Sequence, residues 1–323
     1  MRASAFKSLV ASLNKLSAGQ LDKLADAVSS ARSVKSGLAA VERANPPQCR
    51  HCHSPRVVRN GHQAGLQRYR CKDCGKTCNA ATATPLARLR HKERFELYAK
   101  CMAQGLSVRE AAQEVGVCVD TAHRWRLRFL ANVVEHQPRA VSGILEVDET
   151  YFRESKKGAR VLGRPARYRG GGRGLGRGRR KKDWVPVLVG RVRGQHYTTD
   201  RVLTEVTRTE VTAALERVVR AGQTVVCTDG GSAFLRLERD LKVSAKSVVV
   251  SFDGHVANGV FHVQSANNYH ERLKSWVNRV LRGVASKNLP RYLAWMRLRT
   301  WRGQGVTPEE IIASALGRQV INV

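Results

Sequence analysis

The sequence is poor in acidic residues and has no long hydrophobic run. Among 323 residues, 26 Asp and Glu oppose 57 Lys and Arg, giving a formal net charge of +31. A membrane-spanning helix needs roughly 20 apolar residues, and neither such a run nor a signal-peptide pattern is present. We therefore expect a cytoplasmic, nucleoid-associated protein. Its partner should be a nucleic acid, since no hydrophobic anchor accompanies the charge and a membrane surface fits less well.

Cysteine is scarce, but half of the eight cysteines form two C-x-x-C pairs. Cys49 and Cys52 precede Cys71 and Cys74, with 18 residues between the pairs. This spacing supplies four thiolates for a tetrahedral structural Zn²⁺ without an open coordination position. Disulfides are the alternative, which a reducing cytoplasm disfavours. The pattern predicts a zinc ribbon over residues 45–90.

Helical periodicity is found on both sides of the predicted ribbon. Residues 1–44 are expected to form an N-terminal helical segment, and residues 91–138 a helix-turn-helix domain. Ser107 and Glu110 match a capping box at the start of the first short helix. A generic three-helix bundle with a solvated basic face is the alternative. If the domain binds double-stranded DNA, its second helix would present these side chains to the major groove: Thr121, His123, Arg124 and Arg128.

Strand-like patterns begin after residue 138, and two of them contain an acidic residue in a special position. Asp148 lies within an apolar strand, where a carboxylate is costly to bury unless a cation compensates it. Asp229 follows another apolar strand, at the end where α/β sheets bind ligands. A solvated acid at a strand edge is the alternative. The order of elements predicts a ribonuclease-H-like α/β catalytic domain with a mixed sheet over residues 139–302.

A helix predicted from about residue 266 to residue 280 supplies further polar candidates. Asn267, Glu271 and Lys274 are spaced i, i+4 and i+7, so all three should lie on one helix face. Any one of them could instead be an ordinary exposed residue. Two carboxylates and a polar ligand are the minimum for a site holding two Mg²⁺ ions, which can catalyse phosphodiester chemistry.

A basic insertion interrupts the predicted catalytic domain at residues 153–183. It has 13 Lys and Arg, two acidic residues and eight Gly, so we expect a flexible loop that can order on DNA phosphates. Residues 303–323 should form a C-terminal tail. The DNA contacts predicted in the insertion are Arg179, Arg180, Lys181 and Lys182.

The order of these parts resembles bacterial transposases of the insertion-sequence family numbered 1595. The matching stretches are Leu145–Phe152, Thr228–Gly230, His262–Trp276 and Gly283–Leu293. The resemblance implies a DDE-type site that binds Mg²⁺ (or Mn²⁺), in which Asn replaces the third acid. Glu271, one turn further along the helix, is the alternative third ligand. The implied catalytic residues are Asp148, Asp229, Asn267 and Lys274, of which the first three would bind magnesium.

The resemblance also implies a function and a partner. The chain would bind the terminal inverted repeats of an insertion sequence as a homodimer or higher synaptic assembly, and would catalyse cleavage and strand transfer of double-stranded DNA. Two alternatives stay open at this point. One is a catalytically silent DNA-binding regulator, and the other is a structure-selective ribonuclease-H-like endonuclease. The overall expectation is a multidomain α+β protein.

Overall fold

Ten α-helices and eight β-strands make up the part of the chain that the computed structural model describes, residues 3–163, 184–248, 260–301 and 305–318. The mixture of helices and strands confirms the predicted α+β class. None of the helices in these ranges is long and apolar enough to cross a membrane.

Two N-terminal helices lead into a small antiparallel sheet. The elements are α1 (Ala3–Ser12), α2 (Ala18–Ala44), β1 (Val57–Gln63), β2 (Leu66–Cys71) and β3 (Thr77–Cys78). A two-residue turn joins β1 to β2, and both of its residues, Ala64 and Gly65, have the positive φ that such tight hairpins require. The backbone N–H of Gln67 donates to the Glu42 carboxylate of α2 at 2.7 Å, so the predicted ribbon is fixed to the second helix.

Three short helices follow: α3 (Phe95–Gln104), α4 (Val108–Val115) and α5 (Val119–Phe129). The predicted capping box is present at the start of α4. The Ser107 N–H donates to the Glu110 carboxylate at 2.8 Å, and the Glu110 N–H donates to the Ser107 hydroxyl at 3.3 Å. Gly116 ends α4 with a left-handed φ of 69°. These helices occupy the positions predicted for a helix-turn-helix, and their role in DNA recognition stays a prediction.

A five-stranded mixed sheet carries the acidic residues singled out in the sequence. Its elements are β4 (Val141–Arg153), β5 (Trp184–Val192), β6 (Thr198–Val202), α6 (Arg208–Leu215), β7 (Val219–Thr228), α7 (Leu237–Leu241) and β8 (Ser244–Ser247). The strand order is β6-β5-β4-β7-β8. β5 is antiparallel to β4 and to β6, whereas β7 runs parallel to β4 and to β8. This is the mixed sheet that the ribonuclease-H-like prediction describes.

The strand β7 begins at Val219, well before its continuous apolar residues, Val225 to Cys227. Val219 pairs with Val141, the pairing resumes at Thr224 with Gly143, and the register shifts between them. Because the Val141 N–H bonds to the Val218 carbonyl at 2.8 Å, the chain joins the sheet soon after the helix ends.

The remaining helices are α8 (Gln264–Ser275), α9 (Leu289–Thr300) and α10 (Pro308–Ala315), and a π-helical turn, Trp276–Val280, extends α8. The helix α9 packs on the predicted helix-turn-helix, where the Trp295 indole N–H donates to the Met102 carbonyl at 3.0 Å. The helix α10 packs on α2, α3 and α5. The described part of the predicted tail therefore belongs to the main apolar core, together with α3, α5 and α9.

Candidate active site

The parallel pairing of β4 and β7 brings two acidic residues together. Glu146 pairs with Cys227 at the last paired position, so Asp148 and Asp229 follow it at equal distances along the two strands. Backbone N–H groups hold both carboxylates in place. Glu149 N donates to Asp148 Oδ1 at 2.9 Å, and Gly231 N donates to Asp229 Oδ1 at 3.0 Å. The two predicted carboxylates are thus neighbours at the carboxyl end of β7.

A third carboxylate, which the sequence analysis did not single out, belongs to the same cluster. Oxygen atoms of Asp148, Glu149 and Asp229 all lie within 4.8 Å of one another. Strand alternation would place Glu149 on the opposite face from Asp148, so a local pattern gives no signal for it. The cluster needs the ends of two strands, which only the folded sheet provides.

The helix α8 supplies the opposite wall of a cavity of about 690 Å³ above this cluster. Asn267, His270 and Lys274 line the cavity from α8, and Asn278 lines it from the π-helical turn. The four predicted catalytic residues thus meet at one cavity. Glu271 is exposed and does not line it. His270 and Asn278 are additional cavity residues that the spacing argument did not include.

Burial and neighbouring carboxylates raise the pKa of two of the acids, Asp148 and Glu149. Burial, followed by Glu149 and Asp229, raises the pKa of Asp148 to about 7. Burial and Asp229 likewise raise the pKa of Glu149. His270 does not balance this charge, because burial and Lys274 lower its pKa to about 4 and leave the imidazole neutral.

The donor set of the cavity fits a divalent cation. The Oε2 atom of Glu149 is buried and has no hydrogen-bond partner among the described residues. Carboxylate and amide oxygens are the ligands that Mg²⁺ and Mn²⁺ prefer. A cation beside Asp148 and Asp229 would offset the repulsion between carboxylates that, after burial, raises the pKa of Asp148. The residues that could hold such an ion are Asp148, Glu149, Asp229 and Asn267.

A buried ion pair attaches α8 to the sheet. The carboxylate of Glu146, fully buried in β4, accepts a hydrogen bond from the guanidinium Nε of Arg193 at 2.8 Å. It also accepts the backbone N–H of Ser265 at 2.7 Å and the Ser265 hydroxyl at 3.1 Å. Arg193 donates to the His262 carbonyl at 3.1 Å. The start of α8 is therefore held at a fixed place relative to Asp148.

Comparison with known proteins places this site in a family. The family model for the ISXO2-like transposase domain of insertion-sequence family 1595 matches residues 140–300. A relative from Halobacterium salinarum, described as an uncharacterized protein in transposable element ISH50, is 31% identical over 274 residues, covering 84% of this chain and 90% of the relative. The chain belongs to the insertion-sequence 1595 family of transposases. It is therefore an enzyme that cleaves DNA strands and transfers them.

The catalytic core domain of BIV integrase is a similar solved structure at a TM-score of 0.31 and 17% identity. The similarity covers 53% of this chain and 93% of the integrase chain. It is too weak to support an argument about the fold or the mechanism of the transposase.

The transposase also has the cysteine cluster predicted from the two C-x-x-C pairs. The sulfur atoms of Cys49 and Cys74 are 3.5 Å apart, and those of Cys52 and Cys71 are 3.6 Å apart. All four thiols are free rather than disulfide-bonded. The backbone N–H of Cys74 lowers the pKa of the Cys71 thiol to about 7, whereas burial and the other three cysteines raise the pKa of Cys52 to about 12. The cluster thus combines a thiol that ionises readily with one that needs the metal to lose its proton. Four sulfurs in this arrangement fit tetrahedral Zn²⁺.

The predicted DNA contacts on α5 differ in their exposure. Thr121 and His123 are half-buried, whereas Arg124 and Arg128 are exposed. Arg124 forms an ion pair with Asp120 of the same helix at 2.8 Å. The predicted contacts at positions 179–182 lie outside the described residues.

Arg126, also on α5, is buried and contacts other side chains of the protein rather than solvent. Its buried guanidinium lies 4.1 Å from the centre of the Trp295 ring and donates to the Tyr98 hydroxyl at 3.1 Å. The basic character of α5 therefore serves packing as well as any contact with DNA.

Proposed function

We propose that this transposase binds the terminal inverted repeats of its insertion sequence and catalyses Mg²⁺-dependent cleavage and strand transfer. The observation that carries the proposal is the meeting of Asp148 and Asp229 at one end of the sheet, with Asn267 and Lys274 across the same cavity. The net positive charge of the chain would attract DNA, the substrate of the proposed reaction.

Asp148, Asp229 and Asn267 would hold the catalytic Mg²⁺ or Mn²⁺. Two bound ions would activate the attacking oxygen and stabilise the leaving oxygen of a phosphodiester. The amide of Asn267 contributes an oxygen ligand but no charge, which distinguishes it from a third acid. Lys274, whose ammonium is a compact charge, would hold a DNA phosphate beside the scissile bond.

The reaction we propose has two steps at this site. Water first attacks the phosphodiester at an end of the element, which breaks the P–O3′ bond and frees a 3′-hydroxyl. That hydroxyl then attacks a phosphodiester of the target strand, joining the element to the target and releasing the target's own 3′-oxygen. In both steps an attacking oxygen bonds to phosphorus and a 3′-oxygen leaves, so the same carboxylates can serve each step.

Recognition of the element ends is assigned to the parts that precede the sheet. Zinc held by the four clustered cysteines would give the ribbon its fold, since so small a sheet has little core of its own. The exposed face of α5, with Arg124 and Arg128, would bind DNA as a helix-turn-helix does. Two ends must be held together for transfer, so a homodimer or larger synaptic assembly acting on nucleoid DNA is part of the proposal.

Strand transfer with labelled element ends and Mg²⁺ tests the proposal. We expect cleavage followed by joining to target DNA. Binding without cleavage would instead support a silent regulator, and cleavage without joining a structure-selective endonuclease. Asp148→Ala and Asp229→Ala should abolish cleavage while DNA binding persists, so cleavage by either variant would contradict the proposal.

The third ligand is tested by comparing two alanine variants. Asn267→Ala should reduce cleavage strongly because Asn267 lines the cavity, whereas Glu271→Ala should reduce it little because Glu271 lies outside. The reverse order would assign the ligand to Glu271.

A further inference from the structure

The helix α8 has Asn267 where a DDE-type site has its third acid, and β4 has an additional acid, Glu149, at the same cavity. Asn267 lines the cavity without a charge, whereas Glu149, next to Asp148, lines the same cavity with a carboxylate. One oxygen each of Glu149, Asp148 and Asp229 fall within 4.8 Å of one another, a separation that one or two cations can bridge. The site therefore contains three carboxylates, although the helix supplies none of them.

We propose that Glu149 is a catalytic residue that binds the divalent metal and supplies the third carboxylate of the site, in place of an acid on α8. This inference rests on the proposed metal-dependent function and adds to it one ligand. The ligand set becomes Asp148, Glu149 and Asp229 from the sheet, with the Asn267 amide opposite them.

The end of β7 explains how two successive residues of one strand reach the same site. The pairing of β4 with β7 ends at Glu146 and Cys227, whereas the pairing with β5 continues to Arg153. Beyond Glu146, β4 has a neighbouring strand on one side only. Glu149 can therefore turn its carboxylate into the space that β7 leaves open, beside Asp229.

The contacts of the half-buried Glu149 leave one of its carboxylate oxygens without a partner among the described residues. Its Oε1 accepts only a long hydrogen bond of 3.5 Å from the Tyr151 hydroxyl, and its buried Oε2 has no partner in the part of the chain described. An ionised carboxylate oxygen buried without a partner is costly, so Glu149 either takes up a proton or stays ionised beside a compensating positive charge. A bound cation supplies that charge.

His270 is an independent indication that this cavity accommodates a ligand. Its side chain is 6% exposed, it lines the cavity, and its Nδ1 lies 3.6 Å from Asp148 Oδ2. Its buried Nε2 has no hydrogen-bond partner within the described ranges. A buried side chain with an unpartnered polar atom, in a residue that lines the cavity, is expected where a ligand or its water completes the site.

Mn²⁺ binding to the full-length, zinc-loaded protein tests the assignment without relying on activity. Calorimetry or electron paramagnetic resonance would compare the wild type with Asp148→Asn, Glu149→Gln and the control Glu205→Gln, an exposed acid outside the cavity. We expect Glu149→Gln to weaken Mn²⁺ binding at least about 10- to 100-fold, because that is the loss known for outer-shell partners and a direct ligand contributes no less. Glu205→Gln should bind as the wild type does.

Thermal unfolding separates a ligand from a structural residue. Without Mn²⁺, Glu149→Gln should melt at the wild-type temperature or above it, because it removes repulsion from Asp229. With Mn²⁺, the stabilisation of the variant should be smaller than that of the wild type, since fewer ligands bind the ion. Glu149→Asp, which retains the charge on a shorter side chain, should bind Mn²⁺ with intermediate affinity.

Several outcomes would overturn the assignment. If Asp148→Asn loses Mn²⁺ binding while Glu149→Gln keeps the wild-type affinity, the proposed function stands and the role of Glu149 is wrong. If Glu149→Gln melts lower than the wild type both with and without Mn²⁺, its role is structural. If the wild type binds no Mn²⁺ with or without DNA, the metal-dependent function fails and the assignment of Glu149 fails with it.

Discussion

Glu146, in the middle of β4, accepts the backbone N–H of Ser265 at the start of α8 over 2.7 Å. A carboxylate is favourable at a helix N-terminus, where backbone N–H groups lack partners within the helix. Glu146 lies two residues before Asp148, and Ser265 two residues before Asn267. This single contact therefore relates the strand that carries the first catalytic acid to the helix that carries the polar wall of the cavity.

Glu146→Gln should weaken this attachment and misplace α8. The substitution removes the charge that Arg193 pairs with, and charge-assisted hydrogen bonds contribute about 1.5–3 kcal/mol each. We expect lower stability in urea and a lower kcat for cleavage, with little change in the Kd for DNA. Glu216→Gln, at an exposed acid, is the matched control. An unchanged kcat in a destabilised Glu146→Gln protein would show that the contact serves the fold alone.

The raised pKa of Asp148 predicts how stability depends on pH without catalytic metal. Its pKa rises from 3.8 to about 7 on folding, so the folded state retains the proton longer and stability falls between those two values as pH rises. Asp148→Asn removes this dependence. Its stability relative to the wild type should increase from pH 4 to pH 7, by about 1.4 kcal/mol per pKa unit of difference. Chemical denaturation across this range checks it, and saturating Mn²⁺ should reduce the difference.

Sequence patterns predicted the strands of the site because Asp148 and Asp229 each adjoin apolar, strand-forming residues. The capping box at Ser107 and the two C-x-x-C pairs are similarly local. Each of these features is encoded within a few residues, so the spacing alone identifies it. The helical spacing predicted one face with Asn267, Glu271 and Lys274, and of these three Asn267 and Lys274 line the cavity.

Features that depend on distant contacts were not predictable in this way. Glu149 belongs to the acidic cluster only because β7 ends beside it, and no pattern within β4 indicates where another strand ends. Glu146 binds Arg193, 47 residues away in the sequence. The helix α10 has an ordinary amphipathic pattern, and its place on α3 follows from packing between segments far apart in the sequence.

The cysteine cluster should bind about one zinc ion per protein molecule. Elemental analysis of the purified transposase measures this directly, and Cys74→Ser should lose the metal because three thiolates remain. Cys118→Ser is the control, since Cys118 is an exposed cysteine outside the cluster. Hydrogen exchange should increase through β1, β2 and β3 in Cys74→Ser, with α3 and α9 still protected. Undiminished zinc in Cys74→Ser would contradict the assignment.

Arg128 should contribute to DNA affinity mainly through a phosphate. Arg128→Ala is expected to weaken binding similarly for different sequences and to lower the slope of log K against log salt by about one unit. Arg217→Ala, at an exposed arginine beyond α5, is the control. Fluorescence anisotropy over a range of salt concentrations measures both. A slope in Arg128→Ala equal to that of the wild type would exclude the contact.

The stability of the junction between the sheet and the helical core should depend on the ion pair of Asp200 and Arg297. Asp200 lies in β6 and Arg297 in α9, and both side chains are 1% exposed. Arg297 also donates to the His136 carbonyl at 2.9 Å, and the Tyr269 hydroxyl donates to Asp200 at 3.4 Å. Breaking such a pair leaves a buried charge without its partner, which costs about 3–5 kcal/mol.

Asp200→Asn should therefore lower the free energy of unfolding by that amount. Asp120→Asn is the control, because Asp120 and its partner Arg124 are both exposed and such pairs contribute little. Urea denaturation followed by tryptophan fluorescence is suitable, since Trp301 lies beside the pair with its ring centre 5.8 Å from the Arg297 guanidinium. Equal effects of the two substitutions would mean that the buried pair is not what joins β6 to α9, and that apolar packing of α9 suffices.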